Sequence, residues 1–438
     1  MTTADSRRLL TVVPAASAGH VRELIDDCVH CGFCLPACPT YSLWGQEMDS
    51  PRGRIHLMEQ VLSGCPVEGA PLEHFDRCLS CMACVTACPS GVRYGEIIEA
   101  ARVEIEHSGK RSSSERLARA AIFGLFPYPR RLRVARLALA AAQALGLRAL
   151  LQRPGVAGRL PPLLRAMESV APPVSPIEVL PERIPALGPC RGVVGLLTGC
   201  VQSVFFSRVN SATARVLAAE GFEVVVPRGQ GCCGALSGHA GRRSESARLA
   251  KQTIDTFRST GVEHVVVNAA GCGSAMKEYA LLLSGEPGYE DGAAWMAAST
   301  RDFSELLGSV EPRAKRQPVE KRVAYHDACH LAHGQGIRAQ PRALLRAIPG
   351  LQLLEIPDEF CCGSAGIYNL VQPEPARELG DRKAAAIVAT DADILVSTNP
   401  GCLMQVKSAL RRSGSTIETA HLAEILDLSI TGRPAAGR

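Results

Sequence analysis

Apolar positions along this chain change their spacing from one region to the next. In Ile55-His-Leu-Met-Glu-Gln-Val-Leu62 they recur at helical intervals, and Tyr94 to His107 reads the same way. Beyond residue 190 the pattern becomes short apolar or β-branched runs. These are Gly192–Thr198, Glu223–Val226 and His264–Asn268, then Arg322–His326, Leu351–Ile356 and Ile394–Thr398. Runs without polar alternation predict buried parallel strands. A turn bearing cysteine follows each, and then often a helical stretch: Ser211–Glu220, Glu245–Phe257, Pro375–Ala389 and Cys402–Arg411. Pro375 suits a first helical position, where its missing N–H costs nothing. Repeated β–loop–α units predict a parallel α/β sheet.

Between these regions, Pro127, Pro129, Pro154, Pro161 and Pro162 divide residues 111–165 into short helices. A second run of prolines, from Pro172 to Pro189, follows. Together they predict a helical connector that ends in an extended linker.

At 438 residues, 46% hydrophobic and 21% charged, the chain is a folded protein of several domains, not a disordered one. The net charge of +5 hides a polar layout. Residues 111–165 hold eleven arginines and one acid, Glu115, so the remainder is net negative. A solvated helical face explains such a segment, and so does a contact with an anionic membrane surface or an acidic subunit. Only Phe123, Phe126 and Tyr128 interleave with the arginines, which argues against nucleic acid. The most apolar window, Leu132 to Leu151, contains Arg133, Arg136 and Arg148 and is not expected to span a bilayer. Ser6-Arg7-Arg8-Leu9-Leu10 with Ala16-Ser17-Ala18 faintly resembles an export signal. The apolar part covers only Leu9 to Val13 before Pro14, too short for one, so a cytoplasmic location is expected, with the inner face of the membrane as a place of peripheral attachment.

The eighteen cysteines carry the chemistry. Cys28, Cys31, Cys34 and Cys38-Pro39 form one C-x2-C-x2-C-x3-C-P run, and Cys78, Cys81, Cys84 and Cys88-Pro89 form a second with identical spacing. Three thiolates on a tight loop grip one cubane from one side, and the fourth belongs to the other cluster in two-cluster ferredoxins. One [4Fe–4S] cluster is therefore assigned to Cys28, Cys31, Cys34 and Cys88, and the second to Cys78, Cys81, Cys84 and Cys38. The helical segments between and after the runs predict an α-helical ferredoxin domain. Arg52 and Arg54, in Ser50-Pro-Arg-Gly-Arg54, could receive an acidic partner or tune a cluster, but surface packing is the main expectation.

The remaining motif cysteines repeat. Cys200, Cys232-Cys233 and Cys272 recur as Cys329, Cys361-Cys362 and Cys402. Loops at the carboxyl ends of parallel strands converge, so each set is expected to meet in one place. By charge and softness four thiolates suit zinc as well as an iron–sulfur centre. His326, His330 and His333 flank Cys329. Local hydrogen bonding is their expected role, and His326, which ends a strand, is the best candidate for a ligand. Cys65 and Cys190 lie outside every motif and are expected to be structural thiols. The resulting architecture is α+β and multidomain: a ferredoxin domain over 1–110, the connector over 111–190, and cysteine-rich α/β repeats over 191–310 and 320–430.

These motifs, with Asp76-Arg-Cys-Leu-Ser-Cys81, Pro89-Ser-Gly-Val-Arg-Tyr94 and Cys361-Cys-Gly-Ser-Ala-Gly-Ile-Tyr368, resemble the iron–sulfur subunits of glycolate oxidase. Related families are heterodisulfide reductase subunits and the iron–sulfur proteins of anaerobic glycerol-3-phosphate dehydrogenase and lactate utilisation. The resemblance implies an electron-transfer subunit of a flavin-dependent 2-hydroxy-acid oxidase. FAD would sit on partner flavoprotein subunits, and electrons would pass towards a quinone-type acceptor. Consistent with that division, no G-x-G-x-x-G fingerprint follows a strand here. In the heterodisulfide reductase relatives each repeat ends in C-x2-C. Here the tails read Cys272-Gly-Ser-Ala275 and Cys402-Leu-Met-Gln405, so the fifth cysteine is missing from both. That departure weighs against noncubane clusters and disulfide reduction, and leaves open a single further cluster, a metal ion or an unoccupied site. A zinc-stabilised binding platform is a separate, non-catalytic reading of the repeats.

Overall fold

The computed structural model describes residues 18–108, 111–147 and 161–433. The export-like segment lies outside these residues, as do positions 148–160 of the basic connector.

Six helices build the N-terminal domain: α1 (Ala18–Asp26), α2 (Pro39–Trp44), α3 (Pro51–Leu62), α4 (Ala70–Asp76), α5 (Ala83–Ala87) and α6 (Tyr94–Ser108). Pro39 opens α2 and Pro51 opens α3, where a missing N–H breaks no hydrogen bond. Ser50 caps α3 by accepting from Gly53 N–H at 3.0 Å. Val21, Ile25, Met58, Phe75, Ile97, Ala101 and Ile105 fill the core, drawn from α1, α3, α4 and α6. These helices hold the two cysteine loops, whose Cys78 and Cys84 join the same core.

The connector begins with α7 (Ser113–Leu125) and α8 (Pro129–Ala144), and the helix Pro162–Val170 follows. Ser112 and Glu115 form a reciprocal capping box at the start of α7. Among the described residues no helix is long and apolar enough to cross a membrane. The extended linker does not stay free: its end, β1 (Arg183–Ile184), adds to the first sheet antiparallel to β3 (Phe222–Val225).

The first sheet has the order β1-β3-β2-β4-β5, with β2 at Gly192–Leu196, β4 at His264–Val267 and β5 at Thr300–Asp302. The second has the order β7-β6-β8-β9: β6 is Lys321–Tyr325, β7 Leu351–Glu355, β8 Ile394–Ser397 and β9 Glu418–His421. Apart from β1, all pairs are parallel, so one four-strand pattern occurs twice. All six strands expected from the apolar runs are present, but β7 is not buried as expected: it is an edge strand with Gln352 and Glu355 exposed. β5 and β9 are additional edge strands. The helix expected from Pro375 starts two residues earlier, because Pro373 takes the first position. The two sheets share one core. Val194, Val224 and Val266 of the first repeat pack in a cluster with Val323, Val396, Ile425 and Leu426 of the second. Burial of such side chains is worth about 1.5–3 kcal/mol each, so the repeats form a single body.

Candidate metal centres

The two N-terminal loops share one backbone form. His30 and its equivalent Ser80 have φ of 52° and 49°, and Gly32 and its equivalent Met82 have φ of 86° and 60°. Two left-handed residues at matched positions coil each loop so that three cysteines face inward. Left-handed backbone is costly for a residue with a side chain, and the spacing rule does not reveal it.

The fourth cysteine crosses over. Cys88 lines the cavity of Cys28, Cys31 and Cys34, together with Gly32, Phe33 and Arg52. Cys38 lines the cavity of Cys78, Cys81 and Cys84, together with Arg54 and Tyr94. Burial pushes the Cys28 thiol up, and Cys88 and Cys31 push it further. Cys84 is pushed up by burial and then by Cys78 and Cys38. Each cavity thus has the four-thiolate donor set that a cubane takes.

The two sets differ in exposure. Cys31 is exposed and Cys28, Cys34 and Cys88 are half-buried, whereas Cys38, Cys78, Cys81 and Cys84 are all buried. The buried set has a cationic neighbour. Arg54 is buried, contrary to the surface role expected for it. Its Nε donates to His74 O at 2.6 Å, and its Nη2 donates to both Thr40 Oγ1 at 3.1 Å and Asp49 Oδ1 at 3.4 Å. Asp49 also binds His74 at 2.8 Å and Arg77 at 3.0 Å. Burial raises the Cys78 thiol, but Arg54 and Arg102 outweigh that and hold it below its usual value. Arg102 donates to Cys78 O, to Ser80 Oγ at 2.7 Å and to His239 O at 2.6 Å, so one side chain ties the loop to the first repeat. Arg52 matches the expectation better, pairing with Glu47 at 2.7 Å and donating to His30 O at 2.9 Å.

Both repeat sets assemble. In the first, Cys200 Sγ lies 3.5 Å from Cys232 Sγ, and Cys233 hydrogen-bonds with Cys232 and Cys272. In the second, Cys361 bonds with Cys329 and Cys362, and Cys362 with Cys402. The glycine of each Cys-Cys-Gly triplet has a specific task. Gly234 and Gly363 have φ of 87° and 84°, and an added Cβ would lie 2.9 Å from Ser246 O and 2.6 Å from Ala376 O.

The repeats have diverged where the chemistry lies. His326 of the second repeat is 3% exposed, and its Nε2 has no hydrogen-bond partner. One ligand atom each from His326, Cys362 and Cys402 falls within 4.8 Å of the others. Hydrogen bonds from Cys361 and Cys402, with help from His326, hold the Cys362 thiol well below its usual value despite burial. In the first repeat the equivalent of His326 is the buried Leu197. There hydrogen bonding to Cys232 and burial raise Cys200, and Cys233 and burial raise Cys232 against the lowering effect of Cys200.

The other histidines play different parts. His330 lies against His239, with ring centroids 4.8 Å apart, and burial pushes it down to about 3. His333 Nδ1 meets Thr86 Oγ1 at 2.8 Å, not the local loop contact expected of it but one that joins the second ferredoxin loop to the second repeat. Cys65 and Cys190 are both exposed, so neither is a core thiol.

The centres are arranged in sequence. Leu79 and Cys81 of the buried ferredoxin loop pack in one cluster with Cys329, Cys361, Tyr368 and Leu379 of the second repeat. The buried ferredoxin set therefore adjoins the second-repeat set, and the exposed set lies at the surface.

Three family models match the chain: a 4Fe-4S dicluster domain over residues 24–92, the linker region of the glycolate oxidase iron-sulfur subunit over 114–171, and a cysteine-rich domain over 194–277 and again over 323–407. Among curated proteins, the chain is 39% identical to the probable glycolate oxidase iron-sulfur subunit of Bacillus subtilis, over 92% of this chain and 93% of that one. It is 36% identical to the glycolate oxidase iron-sulfur subunit of Escherichia coli, over 95% and 96%. Lactate utilization protein A of Oceanobacillus iheyensis matches at 32% identity over 53% of this chain and 96% of its own length.

Proposed function

Because the chain belongs to the glycolate oxidase iron–sulfur subunit family and is an electron-transfer subunit, we propose that it serves a complex whose flavoprotein subunits oxidise glycolate to glyoxylate. FAD would reside on those partners, and this chain would deliver electrons one at a time towards a quinone-type acceptor. The observation that carries this reading is the packing of the buried cysteine set against Cys329 and Cys361 of the second repeat. It supports a path with one end at the surface and the other inside the chain.

Two cubanes would be held by Cys28, Cys31, Cys34 and Cys88, and by Cys78, Cys81, Cys84 and Cys38. When bound they supply one-electron storage at potentials set by nearby charge and hydrogen bonds. The residues of this chain set that environment: Arg54 and Arg102 place positive charge beside Cys78, and Tyr94 Oη lies 3.7 Å from its sulfur. A metal ion or further cluster would occupy the second repeat, on Cys329, Cys361, Cys362 and Cys402 with His326. Cys200, Cys232, Cys233 and Cys272 would form a thiolate-only set in the first repeat. The missing fifth cysteines, replaced by Ala275 and Gln405, disfavour the heterodisulfide reductase reading.

The test uses the anaerobically purified complex with its flavoprotein subunits. Glycolate is expected to reduce the clusters of this chain, seen by electron paramagnetic resonance (EPR), and glycerol 3-phosphate is not. Flavin reduction without cluster reduction would overturn the reading. Metal analysis of the same sample decides the second-repeat site. More than about eight irons per chain indicates a third cluster, eight with one zinc indicates a metal ion, and eight with no other metal removes that assignment.

We further propose that α8 holds the complex on an anionic membrane face. The helix has no acidic residue, and Arg130, Arg131 and Arg133 are exposed on it. Beside them Val134, Leu137 and Leu145 are 68%, 64% and 74% exposed. Basic and apolar exposure on one helix suits an interfacial contact, with about 1 kcal/mol for each arginine near anionic lipid. The complex is expected to sediment with vesicles containing phosphatidylserine and not with pure phosphatidylcholine, and replacing the three arginines with glutamine should release it. Equal sedimentation of the substituted protein would refute the assignment.

A further inference from the structure

The two ferredoxin loops have the same spacing and the same backbone, yet their outer faces meet different fates. On the second loop, Leu79 is 4% exposed and packs with Cys81, Cys329, Cys361 and Tyr368, Ala83 joins the edge of that cluster, and Thr86 bonds to His333. That face is an interface between one redox centre and the next. The equivalent positions on the first loop are Val29, Phe33 and Pro36. Val29 is 68% exposed, Phe33 is 64% exposed and Pro36 is also exposed. Phe33 stands exposed where the second loop has the half-buried Ala83, and Val29 stands exposed where it has the buried Leu79.

Among the described residues Val29 and Phe33 stay largely uncovered around a half-buried cysteine set. Apolar anchors of this kind concentrate binding energy at the centres of interfaces. Single-electron exchange also needs the two redox groups close together, and loop one brings the exposed cysteine set nearest to the surface. We infer that the face formed by Val29, Phe33 and Pro36 is the docking surface for the flavin-bearing partner subunit, in the way that the Leu79–Ala83–Thr86 face docks on the second repeat. The inference rests on the proposed function and names the partner of its exposed end.

The occupant follows from the internal comparison. The covered loop meets a folded redox domain through Leu79 and Ala83, with Thr86 bonded at the rim, and the open loop offers apolar side chains at all three equivalent positions, Val29, Phe33 and Pro36. Charge around it is mixed, with Asp26 and Asp27 exposed on one side and the Arg52–Glu47 pair on the other. That does not suit a nucleic acid or a uniformly charged membrane surface.

The test compares the wild-type complex with Phe33→Ala and Phe33→Glu, each copurified with the flavoprotein subunits. Alanine occupies the same place in the second loop, so Phe33→Ala is compatible with the loop's fold. It is expected to weaken association with the flavoprotein subunits about tenfold, equivalent to about 1.4 kcal/mol. Phe33→Glu should abolish copurification. Phe33 also lines the cavity of the exposed cysteine set, so Pro36→Glu, outside that cavity, serves as the second variant. It should weaken association and leave iron content and the dithionite-reduced EPR signals unchanged, and Phe33→Leu should restore most of the affinity. Unchanged association in Phe33→Glu would overturn the inference, as would loss of self-association with flavoprotein binding intact. So would slower electron exit with glycolate-driven cluster reduction unaffected. If glycolate fails to reduce the clusters of the wild-type complex, the functional reading fails instead, and association still reports on the surface.

Discussion

Replacing Cys38 with serine is expected to destroy the buried cluster and spare the exposed one, although Cys38 stands in the sequence run of the exposed set. Iron should fall from about eight to about four per chain. The reason is geometric. Cys38 lines the cavity of Cys78, Cys81 and Cys84, and Cys88 lines the cavity of Cys28, Cys31 and Cys34. The buried cavity also contains Cys38's neighbour Thr40, whose hydroxyl lies 3.2 Å from the Cys38 sulfur and donates to Asp49 O at 2.6 Å. Cys38 is therefore fixed on the buried side by α2 and cannot turn back to its own loop. Four serine variants measure the crossing. Cys38→Ser and Cys81→Ser should leave the same EPR spectrum, and Cys88→Ser and Cys31→Ser should leave the other. If Cys38→Ser matches Cys31→Ser, ligation is not crossed.

Arg54→Met is the second large effect. Arg54 and Asp49 are 1% and 0% exposed at 3.4 Å. Removing one partner of a buried pair costs about 3–5 kcal/mol, because the other charge is left uncompensated. Asp49 retains His74 and Arg77, so the loss should fall near the lower end, read as a lowered denaturation midpoint. The electrical consequence has a definite sign. A reduced cluster carries one more negative charge, and the Arg54 cation beside Cys78 stabilises it. Removing the cation should lower the potential of the buried cluster and leave the exposed one unchanged. Arg54→Lys separates the two effects: it keeps the charge and most of the potential, but loses the fork that reaches Thr40 and His74. A buried cluster with unchanged potential in Arg54→Met would contradict the assigned role.

Cysteine spacing was the most legible feature because cluster ligation is local: a cubane demands a fixed reach from each loop. The duplicated sheets were legible for a related reason, since buried parallel strands need continuous apolar runs. What escaped depends on tertiary context. Arg54 reads as a surface residue until Thr40, Asp49 and His74 arrive from three other parts of the chain to surround it. β5 and β9 are short and partly polar, Thr300-Arg-Asp302 and Glu418-Thr-Ala-His421, and their burial comes from neighbours. Arg183–Ile184 becomes β1 only because β3 offers a free edge. The opposite fates of Val29 and Leu79, one exposed and one buried on identical loops, cannot be read from either loop alone. In the repeats the divergence of Leu197 from His326 is visible in the sequence once the period is known. Only the fold shows that the imidazole joins Cys362 and Cys402.

Electrons released as the partner flavoprotein oxidises glycolate are expected to enter this chain through its own clusters. The most direct measurement is freeze-quench EPR of the anaerobic complex mixed with glycolate. Signals from both cubanes should appear at least as fast as turnover, and the Cys31→Ser complex, which lacks the exposed cluster, should show no reduction of the buried one. Reduction of the flavin with both cubanes still oxidised, in a sample whose clusters respond to dithionite, would contradict the account.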